Sequence, residues 1–327
     1  MKVTMKAALI HTFEGIEKIT IEEISIPTPQ EKEVQIAVKC AGINPVDWKI
    51  AEGLLKTRMD YQFPIILGWD VAGEVSQVGK EVKGFKAGDP VFAFCRKDIL
   101  HDGSFAEFIC LPAENVVKKP KNLSFAQAAA TPLSSLTAWQ SLYDIAHLKA
   151  KDTILIHAGA GGVGGFAIQL AKLKGAYVIT TVSLANFDYV GAIGADAMID
   201  YTQENFVEVV QKKYPKGVDV ILDTVGGDTL KASYLALKEG GRLVTIAGNV
   251  DQALAAHHHL RAEFVFAQPD GKQLIKIASL IEEKRLTPPH IQEIPFEDLV
   301  LALRKSRTGH MLGKLVLIVN PSPLVST

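Results

Sequence analysis

Between residues 152 and 248, continuous apolar runs alternate with stretches that are apolar at helical spacing. "DTILIHAG", "AYVITTVS", "AMIDY", "VDVILDTVGG" and "GRLVTIAG" are the runs, and "VGGFAIQLAKLKG" is a helix pattern closed by Gly175. Unbroken apolar strands separated by helices predict a parallel sheet covered on both faces. Residues 1 to about 120 have a different texture. "KAALI", "ITIEEISI", "EVQIAVKCAGI", "GEVSQVG", "DPVFAF" and "FAEFICLP" are short, often alternating runs divided by Gly, Pro and charged turns. They predict a barrel or rolled sheet. The texture changes near residue 124, where "LSFAQAAATPLSSLTAWQSLYDIAHL" becomes helical in spacing behind Ser124 as N-cap. From about residue 270 the pattern is a helix, a loop, a second helix and a last strand, "GKLVLIV". That strand is expected to return to the first domain. No internal repeat or low-complexity segment is visible.

The six glycine-rich positions after the first apolar strand narrow the chemistry. Gly159-Ala160-Gly161-Gly162-Val163-Gly164 fits G-x-G-x-x-G, and it stands between a strand and a helix inside a strand–helix–strand unit. Gly159 permits the tight turn, Gly161 lets backbone approach a pyrophosphate, and Gly164 allows close packing of helix on sheet. The helix N-terminus adds N–H donors and partial positive charge. A dinucleotide is the expected ligand. An NAD-selective site places an acid at the end of the second strand, and here that strand ends in Thr181-Val182-Ser183. The first acid, Asp188, falls inside the next helix pattern. Nothing there repels a 2′-phosphate, and Ser183 and Asn186 offer hydrogen bonds to it, so NADP is favoured over NAD. No Arg or Lys stands beside them, which counts the other way.

Composition excludes several classes. A chain of 327 residues predicts about two domains. With 48% hydrophobic and 22% charged residues it is an ordinary globular composition. A net charge of −1 leaves no bulk basic surface to recruit nucleic acid or anionic lipid. No apolar run reaches the ~18 residues of a membrane span, and "MKVTMKAALIHTFEG" lacks the core of a secretory signal. Cys40, Cys95 and Cys110 are too few and scattered for a disulfide framework, so they are expected to be buried thiols in a reducing, cytoplasmic compartment.

Taken in order, "AGINPVDWK" (41–49), "LGWDVAGEVSQVG" (67–79), "AGDPVFAF" (87–94), "AAATPLSSLTAWQSL" (128–142), "HAGAGGVG" (157–164), "GADAMIDY" (194–201), "LDTVGG" (222–227) and "GHMLGKLVLIV" (309–319) resemble the medium-chain dehydrogenase/reductase superfamily. The branch they resemble is the zinc-independent quinone oxidoreductases and enone reductases. The resemblance implies an α/β chain: a GroES-like β-rich catalytic domain over 1–124, a doubly wound Rossmann dinucleotide-binding domain over 125–268, and a return over 269–327 that completes the first domain. Zinc alcohol dehydrogenases of the superfamily carry Cys after Gly-Ile and a Gly-His-Glu triplet. Here Asn44 follows Gly42-Ile43, and the triplet reads Gly68-Trp69-Asp70. The four-cysteine structural loop is also missing, since residues 95–110 hold only Cys95 and Cys110. Zinc needs three or four Cys, His or carboxylate ligands, so no metal is expected. His257-His258-His259 is expected to be a solvated loop, and His157 a satisfied core histidine.

Without a Lewis acid, oxidising a simple alcohol is hard. Quinones and α,β-unsaturated carbonyls accept hydride from a nicotinamide directly, because the charge delocalises onto oxygen. The protein then supplies orientation, hydrogen-bond donors and a dry cleft. The resemblance places "INPVDW" against the nicotinamide. Asn44 would bond either the cofactor or the substrate oxygen, while Asp47 and Trp48 would form the floor, with Asp70 close by. Asn44 and Asp47 around Pro45 equally suit an Asx-type turn. Thr137, Val225 and Phe266 would lie along the cofactor, with Tyr201 by the adenosine phosphate. Lys314 would either reach the 2′-phosphate or be a solvated turn lysine. The edge strand near 262–267 would pair with a second copy to give a homodimer. The expected function is NADPH-dependent reduction of a small quinone or enone without zinc. The alternatives are a zinc-independent alcohol dehydrogenase and an NADPH-binding protein with little catalysis.

Overall fold

The computed structural model describes residues 3–319. The chain forms two compact units. One joins the residues up to Leu133 to those from Pro269 onward, and the other spans Ser134–Gln268.

The spine of unit 1 is the strand Glu33–Gly42. It pairs antiparallel with Asp70–Val78 along one flank. On the other flank its first half meets Phe108–Pro112 and its last residues meet Lys314–Ile318. The sheet continues through Pro90–Phe94 to Val116–Lys118 on one side and to Ile291–Pro295 on the other. Val34, Ile36, Val38, Val71, Phe92 and Leu317 are fully buried in this sheet. Each contributes ~1.5–3 kcal/mol through the apolar area it removes from water. The terminal strand therefore does return to the first unit. Ile291–Pro295, within the expected loop, runs parallel to it. Its outward positions are polar, so it makes no apolar run and leaves little trace in the sequence.

The first boundary falls later than residue 124, for a packing reason. The helix Phe125–Ala129 is capped by Ser124, whose Oγ accepts the Gln127 N–H at 3.1 Å while Gln127 Oε1 accepts the Ser124 N–H at 3.0 Å. Its alanines lie against Glu33–Gly42 and Asp70–Val78. A Cβ on Gly42 would collide with the Ala129 carbonyl. The helix is thus part of unit 1, and the chain leaves that unit only in the next helix, Pro132–Trp139. That helix loosens into a π-turn over Gln140–Ile145.

Unit 2 is a six-stranded parallel sheet. Its spatial order is Ala197–Asp200, Tyr177–Val182, Thr153–His157, Val218–Asp223, Leu237–Thr245 and Arg261–Phe264. The order reverses between the strands that open at Thr153 and Val218. In open α/β sheets, ligands bind outside the carboxyl ends of the strands at such a switch point. Leu155, Ile179, Ile221 and Leu243 form the buried layer under the helices.

Candidate active site

The strand Thr153–His157 ends at the switch point and runs directly into the glycine cluster. Ala158 takes a left-handed φ of 55°, which turns the chain sharply away from the strand. Thr181, on the neighbouring strand, accepts the Ala158 N–H on Oγ1 at 3.2 Å and the Gly159 N–H on its carbonyl at 3.2 Å. A Cβ on Gly159 would strike Thr180 Oγ1, and one on Gly164 would strike the Ala158 carbonyl. Gly161 differs: only Ala158 O comes within 4 Å of an added Cβ, at 3.3 Å. Gly161 is the N-cap of Gly162–Lys174, a 13-residue helix with no acid in its first turn. Two glycines make the close approach of helix to strand possible. The third leaves an open, donor-rich helix end, and these residues fit a dinucleotide pyrophosphate.

The rim of unit 2 is built from neighbouring strand ends. Ser183 follows Tyr177–Val182, and Asn186 Nδ2 donates to its Oγ at 3.2 Å. Asp188 lies in the helix Phe187–Ala192. Asp223, fully buried, accepts the N–H groups of Val225 and Gly226 at 3.0 Å and the Thr245 hydroxyl at 2.7 Å. These bonds shape the turn that presents Val225, which is 52% exposed. Tyr201 is half exposed after the strand Ala197–Asp200, Thr137 is buried in its helix, and Phe266 stacks on Phe264 at 6.4 Å. His157 is buried with Thr181 Oγ1 and Ser233 Oγ each 3.1 Å from a ring nitrogen. Ser233 donates its own hydrogen to Thr229 O, so Nε2 carries the ring proton. Burial pushes its pKa down to about 4 against the opposing charge of Asp223, which makes it a neutral core histidine. His257 and His258 end a short helix, with ring centroids 5.0 Å apart, where a loop is expected.

Unit 1 holds a second polar constellation. Asn44 ends the run from Glu33–Gly42 and opens the helix Pro45–Ala51, where Pro45 suits the first helical position. Asp47, one turn in, accepts the Asn44 N–H on Oδ2 at 2.7 Å. The Asn44 carboxamide turns the other way. Its Nδ2 donates to Asp70 Oδ2 at 2.9 Å and to Gly42 O at 3.3 Å, and its Oδ1 accepts from Lys314 Nζ at 2.7 Å. Lys314 also donates to Asp70 Oδ2 at 2.7 Å, and Asp70 Oδ1 accepts the Leu133 N–H at 2.6 Å. All four polar side chains are buried. The Asx-turn alternative therefore captures only the backbone half of this arrangement.

Three expectations change here. Lys314 is not a solvated turn lysine, and its ammonium is already committed: it is 5% exposed and paired with Asp70 inside unit 1. Both amide hydrogens of Asn44 already have acceptors, so it is not an idle donor. Asp47 is fully buried rather than a floor open to ligand. Its Oδ1 and the neighbouring Trp48 Nε1 are both buried without a hydrogen-bond partner. Burial raises the Asp47 pKa to about 8; the Asn44 N–H, Lys314 and the Gly68 N–H oppose this, and the Asp70 charge adds to it. Sequence reasoning misses the Asp70–Lys314 ion pair, because a lysine leading the apolar strand "GKLVLIV" does not by itself distinguish a buried cation from a solvated one.

The donor set does not suit zinc. Asn44 is committed to Lys314 and Asp70, and Trp69 packs its ring 5.9 Å from Phe94. Among the described residues, no group of three or more His, Cys, Asp or Glu is arranged to hold a metal ion. The thiols of Cys40, Cys95 and Cys110 are free and buried, and burial pushes their pKa values up, to about 12 for Cys40 and Cys110. Among the described residues, no helix is long and apolar enough to cross a membrane.

Comparison with known proteins agrees with both halves of this geometry. Residues 30–121 match the alcohol dehydrogenase GroES-like domain, and 193–317 match a domain described as zinc-binding dehydrogenase. The chain is 33% identical to the chloroplast envelope quinone oxidoreductase homolog of Arabidopsis thaliana, over 92% of this chain and 93% of that one. It is 36% identical to the NADPH-dependent alkenal/one oxidoreductase of the same plant, covering 98% of this chain and 80% of the relative. Among solved structures, the quinone oxidoreductase from Coxiella burnetii superposes with a TM-score of 0.87 at 34% identity, over 97% of this chain and all of that one. With a glycine-cradled switch point and a GroES-like partner unit, the chain belongs to the medium-chain dehydrogenase/reductase superfamily, in its quinone oxidoreductase and enone reductase branch.

Proposed function

We propose that this protein is an NADPH-dependent reductase of quinones or α,β-unsaturated carbonyls that works without zinc. The observation that carries the reading is that one chain has both an open glycine cradle in unit 2 and, in unit 1, Asn44 and Trp69 at the sequence positions where metal-dependent relatives carry ligands. The relatives named for quinone and alkenal/one reduction support it. A dinucleotide held there would supply hydride chemistry, and the acceptor's own carbonyl would take up the charge.

The chain's part is to bind and orient. Backbone N–H groups at Ala160, Gly162 and Val163 would hold the pyrophosphate at the N-terminus of Gly162–Lys174, the Gly161 N–H being spent on the Ala158 carbonyl at 3.0 Å. Ser183, its Oγ already accepting from Asn186, keeps a hydroxyl hydrogen for the 2′-phosphate. Tyr201, Val225, Thr137 and Phe266 line the adenosine and nicotinamide ends. Asn44 and Trp48 are the unit 1 groups assigned to the reacting end, with the buried Asp47 holding the Asn44 backbone behind them. The edge strand Arg261–Phe264 has no partner strand beyond it among the described residues, which supports a homodimer formed there.

NADPH consumption with a small panel of quinones and enones, alongside metal analysis of the purified protein, tests the reading. Turnover with no stoichiometric zinc is expected. About one zinc per chain, with activity lost on chelation, would overturn it. Cofactor choice is a separate expectation. Ser183→Asp should invert a preference for NADPH over NADH, because a carboxylate beside the 2′-phosphate costs about 1–3 kcal/mol or more. Equal binding of both cofactors by the unaltered protein would contradict it.

A further inference from the structure

We propose that Lys314 is a positioning residue for the Asn44 carboxamide and takes no part in binding the cofactor phosphate. The inference rests on the reductase reading above and deepens it. An ammonium can only donate hydrogen bonds and a carboxylate can only accept them. Lys314 Nζ stands 2.7 Å from Asn44 Oδ1, and Asp70 Oδ2 stands 2.9 Å from Asn44 Nδ2. The two ends of one amide are thus matched by partners of opposite character. Turning the amide over would set N–H against ammonium and carbonyl against carboxylate. Only one orientation is tolerated, and both bonds that fix it are charge-assisted and shielded from water.

The frame behind the amide is itself anchored. Asp70 Oδ1 accepts the Leu133 N–H at 2.6 Å, in the first turn of Pro132–Trp139. Lys314 begins the strand that pairs with Glu33–Gly42. Asp47 holds the Asn44 backbone separately, at 2.7 Å. Backbone and side chain of Asn44 are therefore fixed by different groups. The longest bond in the set is Nδ2 to Gly42 O, at 3.3 Å. Lys314 decides which amide atom is offered there. To bind a phosphate, its ammonium would have to abandon a carboxylate that is fully buried.

Two variants test this: Lys314→Met, and Lys314→Met combined with Asp70→Asn, which removes the stranded charge. Binding of NADPH and NADH is titrated by fluorescence, unfolding is followed thermally, and kcat and KM are measured with a quinone or enone. Lys314→Met is expected to lower Tm while keeping the ratio of NADPH to NADH affinity within about twofold of the parent. The double variant should regain Tm, yet keep kcat at least about tenfold low with KM little changed. A ratio that falls about tenfold or more would make Lys314 a phosphate ligand and overturn the proposal. Recovery of kcat together with Tm would reduce Lys314 to a structural role, and overturns it equally. If Lys314→Met does not fold, the double variant supplies both readouts. A parent protein that binds NADPH but reduces nothing in the panel defeats the reductase reading instead, and the affinity ratio still decides whether Lys314 serves the phosphate.

Discussion

A Gly164→Val protein is expected to lose NADPH affinity by about a hundredfold or more, which is roughly 2.7 kcal/mol of binding energy. The reason is local and steric. A Cβ at Gly164 meets the Ala158 carbonyl and the Gly159 Cα, both backbone atoms that cannot swing aside. The helix Gly162–Lys174 must move off the strand end, and its N–H donors move with it. Overpacking of this kind also lowers stability by about 1–3 kcal/mol. Lost affinity alone would therefore not prove that a ligand sits there, and Gly161→Ala separates the two effects. Gly161 has φ −79° and ψ 175°, extended backbone that alanine adopts freely, and an added Cβ meets only Ala158 O at 3.3 Å. Stability is expected to stay within ~0.5 kcal/mol of the parent. NADPH affinity should still fall about tenfold, because the methyl group enters the space assigned to the pyrophosphate. Urea denaturation and fluorescence titration of both variants check this. An unchanged affinity in Gly161→Ala would mean that the pyrophosphate lies elsewhere.

The second large effect concerns Asp47 and pH. Its carboxyl group is fully buried, with Oδ2 held by the Asn44 N–H and Oδ1 without a partner. The charged groups around it are Asp70 on Asp70–Val78 and Lys314 on Lys314–Ile318, with the neutral thiol of Cys95 alongside. One ammonium balances one carboxylate, so Asp47 is the odd acid, and burial raises its pKa to about 8. An unfolded Asp titrates near ~3.9. Between these values the folded protein holds a proton that the unfolded chain has lost. The stability this contributes is fully present below about pH 4 and declines as pH rises towards 8, by about 1.4 kcal/mol per pH unit at most. Asp47→Asn removes the titration and keeps the shape. The variant should gain on the parent steadily from pH 5 to pH 8, reaching several kcal/mol in denaturant unfolding at the upper end. Stability curves for the two proteins that stay parallel across this range would show that Asp47 is already ionised in the folded state.

The glycine cluster and the apolar strand runs were legible because they are local demands. Each strand buried on both faces must be apolar along its length, and a helix packed close to a strand end must lack a Cβ at Gly159 and Gly164. Capping was legible for the same reason: Ser124 and Gln127 satisfy each other three residues apart. The strand Ile291–Pro295 was not, since it is half buried and its pairing with Lys314–Ile318 is set by residues some twenty positions away. Nor was the extent of the first unit. Ala128 and Ala129 fit any helix, and only Gly42 beneath Ala129 shows which sheet that helix covers.

The site divides along the same line. Residue identity alone determined that Asn44 and Trp69 are poor zinc donors and that no acid follows Val182, because ligand chemistry and charge belong to the side chain itself. What Lys314 does is a property of its neighbours. A lysine ahead of an apolar strand is compatible with solvent, with a phosphate or with a buried carboxylate. The choice was made when Lys314–Ile318 paired beside Glu33–Gly42 and brought the ammonium to Asp70, 244 positions away in sequence. A cation is stable in that interior only against a fixed anion. That contact, and the orientation it imposes on Asn44, exists only in the folded chain.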